Sequence, residues 1–232
     1  MSSSFFSRFI DVLAPASCPI CGNRLSADEH FLCARCLLQL PFTGFEANPG
    51  DNPIAEALRW HFPVEKCASL LSYRPGSAIS KLLLSLKFFN HPEYGTELGR
   101  IMASEFQSAG FFDGITTLFP LPLTRKRQRQ RGYNQSLEIC RGISEVTGID
   151  ITTKGMSRSE GNAPQSSLPH DKRYENVKNV FHLTDPSVFQ GQHILIVDDI
   201  LTTGSTVTAC AKEILKAGDV KISIATIGYA GQ

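Results

Sequence analysis

Apolar positions along this chain recur with two different spacings, and the switches between them mark the elements. Residues 77–89 carry Ile79, Leu82, Leu83 and Leu86 at helical spacing, and residues 97–109 and 134–147 read the same way. Residues 67–73, 116–121 and 221–228 are short aliphatic runs bounded by turn residues, as buried strands are. Further strands are expected at 149–153, 177–183 and 194–197, and further helices at 4–13, 52–60 and 206–217. Strands alternating with helices over the C-terminal half predict an α/β fold with a parallel sheet and flanking helices. Residues 157–175 form a long polar stretch broken by Pro164 and Pro169, the pattern of a functional loop or of a disordered one. Residues 41–53 are rich in Pro, Gly and Asn and read as a linker. They separate a small N-terminal unit, residues 1–45, from residues 52–232, whose core spans about 112–232.

Residues 194–206 carry the clearest chemistry: Ile-Leu-Ile-Val-Asp-Asp-Ile-Leu-Thr-Thr-Gly-Ser-Thr. A doubly buried strand runs into two adjacent carboxylates, Asp198 and Asp199, where an α/β fold places its ligands. Thr202, Thr203, Gly204, Ser205 and Thr206 then turn into a helix N-terminus. Hydroxyls, backbone N–H groups and the positive end of the helix dipole favour a phosphate there. Paired carboxylates accept from vicinal hydroxyls, so the combination points to a sugar phosphate.

The 232 residues allow one large domain, or a medium one with a small companion. A net charge of +1 supplies no global pull toward nucleic acid or membrane, so any such attraction is local. Apolar runs fall well short of the roughly 18 residues of a membrane span, and residues 1–12 lack a basic region and a continuous apolar stretch. No membrane insertion and a cytoplasmic location are expected.

Seven cysteines change the picture at the N-terminus. Cys18 and Cys21 form one CxxC pair and Cys33 and Cys36 another, with eleven residues between and Gly22 after the first pair. This spacing fits a closed, structural zinc site of four cysteines, a small zinc-ribbon-like module. Disulfides and a redox pair are the alternatives; a cytoplasmic address disfavours the first, and the second needs only one CxxC. His30 lies off the ligand spacing and reads as an exposed loop residue. Cys140 and Cys210 lie in apolar helical patterns and read as buried, inert thiols.

Residues 123–135 follow a strand, precede a helix and hold Arg125, Lys126, Arg127, Arg129 and Arg131. One reading is a patch for nucleic acid or another polyanion. The other is a loop that handles pyrophosphate, since guanidinium forks match phosphate oxygens. The two are compatible.

These segments resemble the type I phosphoribosyltransferases, whose motif is a hydrophobic strand, an acidic pair and a Thr/Gly/Ser phosphate loop. The resemblance implies that Asp198 and Asp199 bind the ribose hydroxyls of phosphoribosyl pyrophosphate (PRPP), that residues 202–206 bind its 5′-phosphate, and that Mg2+ accompanies it. It places Arg125, Lys126, Arg127 and Arg131 at the pyrophosphate. Pro120-Leu121-Pro122-Leu123, Arg131-Gly132-Tyr133-Asn134-Gln135 and the paired CxxC pattern together resemble the ComF/GntX branch, associated with DNA uptake in bacteria. Arg158, Gln165 and Arg173 stand in that branch's order within a loop that closes over PRPP; Asn162 departs from its usual Thr. Thr202 stands where purine-salvage transferases carry an Asp that serves the acceptor base, which disfavours purine salvage. The acceptor is left open. So is the choice between a transferase and a non-catalytic module that senses PRPP or binds single-stranded DNA beside competence and recombination proteins.

Overall fold

The computed structural model describes residues 16–88, 91–160 and 180–231. Five strands form one parallel sheet: β1 (Cys67–Ser72), β2 (Thr117–Pro120), β3 (Asp150–Ile151), β6 (His193–Leu201) and β7 (Lys221–Tyr229), in the order β1-β7-β6-β2-β3. Two short strands, β4 (Met156–Arg158) and β5 (Phe181–Leu183), pair antiparallel apart from it. The helices are α1 (Ala34–Leu38), α2 (Pro53–Arg59), α3 (Ala78–Phe88), α4 (Pro92–Ser108), α5 (Arg125–Arg131), α6 (Gln135–Thr147) and α7 (Ser205–Ile214).

The run at 194–197 is apolar because both faces of β6 are covered. Leu195 and Val197 join a core with α3, α4 and α6, while Ile194 and Ile196 join another with α2 and α7. All four are fully buried. Burial of a Leu, Ile or Val side chain is worth about 1.5–3 kcal/mol, so this strand is a main anchor of the fold.

Helices α4 and α6 pack backbone to backbone. Gly95 and Gly99, four apart on α4, meet Glu138 and Ile139 on α6, and Gly142 meets Thr96 and Arg100 on α4. A Cβ at Gly99 would overlap the Ile139 carbonyl, and one at Gly142 the Thr96 carbonyl.

Two expectations need correction. Residues 125–131 form a helix rather than a loop. Thr124 caps it by accepting from the Arg127 N–H at 3.2 Å, and Gly132, in the left-handed region with φ 79°, ends it. Arg, Lys and Gln lose little rotamer freedom in a helix, so the stretch between these caps is a good helix former. The strand expected at 194–197 also runs on to Leu201, since β7 pairs with it through Asp198↔Thr226 and Leu201↔Tyr229. Residues 41–53 lie along β1: Thr43 N–H donates to Leu70 O, Ser72 N–H to Pro41 O and Cys67 N–H to Pro49 O. The expected helix at 4–13 and residues 177–179 of the expected strand lie outside the described residues.

Candidate functional site

The site follows from where neighbouring strands stop. β2 pairs with β6 only as far as Pro120↔Val197, whereas β7 pairs with β6 four residues further. Asp198 is therefore the first residue of β6 past the end of β2. From β2 the chain crosses to α6 on one face of the sheet, and from β6 it crosses to α7 on the other. The chain leaves two adjacent strands in opposite directions, which opens a crevice beyond their carboxyl ends.

A cavity of about 320 Å3 occupies that crevice. Asp198, Asp199, Thr202 and Thr206 line one wall, and Arg127, Arg131 and Arg158 line the other. Asp198 is held in place: its Oδ1 accepts from Ser136 Oγ at 3.2 Å and from the Asp199 N–H at 2.8 Å. Asp199 is buried. A hollow of about 30 Å3 adjoins, bounded by Thr203, Gly204, Ser205 and Val207 at the start of α7. Thr203 Oγ1 hydrogen-bonds Ser205 Oγ at 3.1 Å. Gly204 has φ 71°, a conformation that a side chain strains, and a Cβ there would press Leu58 of α2 at 2.8 Å.

The basic wall comes from two elements. Arg127 and Arg131 stand four apart on α5 and so share a face. Arg131 Nη1 donates to Gln135 Oε1 at 2.7 Å. Arg158, on β4, donates to the Pro122 carbonyl at 3.0 Å and lies 4.9 Å from the centre of the Phe181 ring. Burial lowers its pKa and Arg127 lowers it further, while Asp198 works in the opposite direction.

Among the expected site residues, the structure brings together Asp198, Asp199, Thr202, Thr206, Arg127, Arg131 and Arg158, with Thr203, Gly204 and Ser205 around the adjoining hollow. Arg125 lines a different cavity, and Lys126 is exposed. Gln165 and Arg173 lie outside the described residues. Sequence reading missed Ser136 and Tyr73. Neither belongs to a spacing motif, and only the meeting of α6 and β1 with the end of β6 places them at the cavity.

The four N-terminal cysteines converge in a second centre. Their Sγ atoms all lie within 4.8 Å of one another, and Cys21 Sγ and Cys33 Sγ are 3.7 Å apart. Four sulfurs each ~2.3 Å from one ion stand roughly 3.8 Å apart on a tetrahedron, so the set could hold a metal ion. The first turn closes through Gly22 N–H to Cys18 O and Cys18 N–H to Asn23 O, both 2.8 Å. Burial pushes the Cys18 thiol up, but backbone N–H groups of Cys33, Cys21 and Ile20 and the Cys21 thiol outweigh it and bring it to about 7. Burial first, and then the neighbouring thiols, push Cys36 up to about 12. His30 is exposed and outside the cluster. Cys140 and Cys210 are fully buried, and burial raises both thiols above their ordinary range. Among the described residues, no helix is long and apolar enough to cross a membrane.

Residues 96–232 match the family described as phosphoribosyl transferase domain. Over 210 residues the chain is 29% identical to the DNA utilization protein YhgH of Escherichia coli (strain K12), covering 89% of this chain and 87% of that protein. Over 222 residues it is 24% identical to Competence protein F of Haemophilus influenzae, covering 89% and 94%. A solved structure described as the allosteric regulatory enzyme of purine biosynthesis is similar at 17% identity with a TM-score of 0.42. That match covers 62% of this chain and 30% of the solved one, so the chain spans less than a third of that enzyme's length.

Proposed function

Because the chain belongs to the phosphoribosyl transferase domain family, we propose that its crevice binds PRPP with Mg2+ and that it is a ComF-type protein serving DNA uptake. One observation carries the PRPP reading. A carboxylate pair, Thr202, Thr206 and three arginines surround one cavity of about 320 Å3, and the hydroxyl-rich start of α7 bounds a hollow that adjoins it. Asp198 and Asp199 accept from the two ribose hydroxyls. Thr203, Ser205 and Thr206 donate to the 5′-phosphate at the head of α7, where helix N–H groups also point. Arg127, Arg131 and Arg158 face the pyrophosphate and stabilise the charge it gains if it leaves. Mg2+ prefers hard oxygen donors, which the two carboxylates offer, and when bound it neutralises pyrophosphate charge.

Isothermal titration of the full chain with PRPP and Mg2+ tests the reading, and absence of heat at millimolar PRPP sinks it. Release of pyrophosphate in the presence of amines and bases separates a transferase from a protein that only binds PRPP. We also assign zinc to the four cysteines, with one ion per chain expected by metal analysis. A set of reduced thiols suits a cytoplasmic setting.

A second role is favoured by the outer face of α5, where Lys126 and Arg129 are exposed. That face suits the phosphate backbone of single-stranded DNA, in keeping with the DNA-related names of the relatives. Such binding weakens steeply with salt. Salt-insensitive binding, or binding unchanged in Lys126→Ala/Arg129→Ala, refutes it.

A further inference from the structure

A second cavity, of about 360 Å3, lies on another side of α5. Leu123 and Arg158 line both cavities, but the second contains neither Asp198, Asp199 nor any part of the hydroxyl loop. The periodicity of α5 explains the division. Arg127 and Arg131 turn to the first cavity, whereas Arg125 and Gln128, three apart, turn to the second.

The walls define what fits. Arg125 and Arg158 supply two cations, and no Asp or Glu among the described residues lines the cavity. Arg125 makes no ion pair with a described residue. Arg158 uses Nη1 on the Pro122 carbonyl, and its Nε is buried without a partner among the described residues, so the guanidinium has donors to spare. The Asn134 amide is committed to Leu121 O and to Ser136 N–H. Gln128, Thr153 and Ser157 remain as polar groups. Leu137, Met156 and Pro120 add apolar wall. The volume sits at the small end of the roughly 300–1,000 Å3 typical of small-molecule sites, and an inorganic anion would leave most of it unfilled.

We propose that this cavity is a second ligand site, distinct from the PRPP crevice, that takes a phosphate monoester on a body of nucleotide size, with a nucleoside 5′-monophosphate as the fitting class. The phosphate meets Arg125 and Arg158. The body covers Leu137 and Met156, and its polar edge meets Gln128, Thr153 and Ser157. Arg158 belongs to both walls, so the two ligands compete for one guanidinium, and each weakens the other reciprocally.

Titration of the full metal-loaded chain with a panel of nucleoside 5′-monophosphates, the matching nucleosides and inorganic phosphate tests this. At least one monophosphate should bind at least tenfold more tightly than its nucleoside or than phosphate alone. Arg125→Ala and the cavity-filling Ser157→Phe should each weaken it tenfold or more, with thermal unfolding confirming that both variants fold. Asp198→Asn/Asp199→Asn and Arg129→Ala should leave it within about twofold. Failure of every monophosphate to bind overturns the proposal. So does binding lost in the aspartate variant but kept in Arg125→Ala, which puts the ligand in the first cavity, and so does binding lost in Arg129→Ala, which marks a general polyanion surface. None of these readouts requires PRPP to bind, so the two readings can fail separately.

Discussion

The two walls of the crevice are built in opposite ways. The carboxylate wall is one continuous stretch of chain, the end of β6 and the start of α7, clamped by β7 on one side and by cores on both faces. The basic wall is assembled from α5, a helix of seven residues with none buried, and from β4, which pairs only with β5 among the described strands. The first wall is therefore positioned before any ligand arrives. In the second, Met156 and Phe181 anchor β4 and β5 in the core, and only the arginines of α5, where no residue is buried, are lightly held. On the proposed reading, the residues assigned to the sugar are therefore rigid, while the α5 arginines assigned to the pyrophosphate are adjustable.

The sharpest way to break this contrast is to neutralise the rigid wall. Hydrogen bonds to charged groups are worth about 1.5–3 kcal/mol each, so Asp198→Asn/Asp199→Asn should weaken PRPP binding by ~10²–10⁴-fold. Calorimetry measures it, and a loss below tenfold contradicts the assigned role. Removing the adjustable wall, with Arg127→Ala/Arg131→Ala, should cost less, roughly 10–100-fold, because both guanidiniums reach partly solvated positions. That loss should fall on pyrophosphate and spare ribose 5-phosphate; an equal loss for both ligands denies a division of labour.

The α4–α6 seam probes how far the rigid wall depends on packing behind it. Gly142→Ala should destabilise the fold by about 1–3 kcal/mol, or roughly 2–12 °C in Tm, despite the better helix propensity of alanine. An unchanged Tm would mean that the seam opens freely. The smallest effect is expected from Ser136→Ala, which removes one neutral donor to Asp198. Because the Asp199 N–H still holds the same Oδ1, PRPP affinity should fall only roughly 2–10-fold, and Tm by no more than about a few degrees. A hundredfold loss would mean that α6 shapes the carboxylate wall as strongly as β6 does.

The unequal legibility of the two walls in the sequence has the same origin. Asp198, Asp199 and residues 202–206 could be read directly because strand, turn and helix start are local, and their chemistry is contiguous. The CxxC pairs were legible for the same reason, since two short turns set the sulfur spacing. The basic stretch was visible as charge but not as structure. Its caps, Thr124 and Gly132, signal a helix, yet a run of charge without apolar periodicity reads as a loop. Once it is helical, its cations separate: Arg127 and Arg131 enter the crevice, Arg125 turns to another cavity, and Lys126 and Arg129 stay outside.

By itself, then, the sequence determined the α/β alternation, the doubly buried strand, the acidic pair with its hydroxyl-rich loop and the set of four cysteines. Each depends on residues close together in the chain, where covalent geometry limits the options. Only the tertiary structure decided that β6 continues past Val197, that β2 stops short and opens the crevice, that Ser136 holds Asp198, and which arginines face which cavity. Those outcomes depend on register between distant strands and on close helix packing at glycines. Their energies come from long-range burial, which no local pattern of residues records.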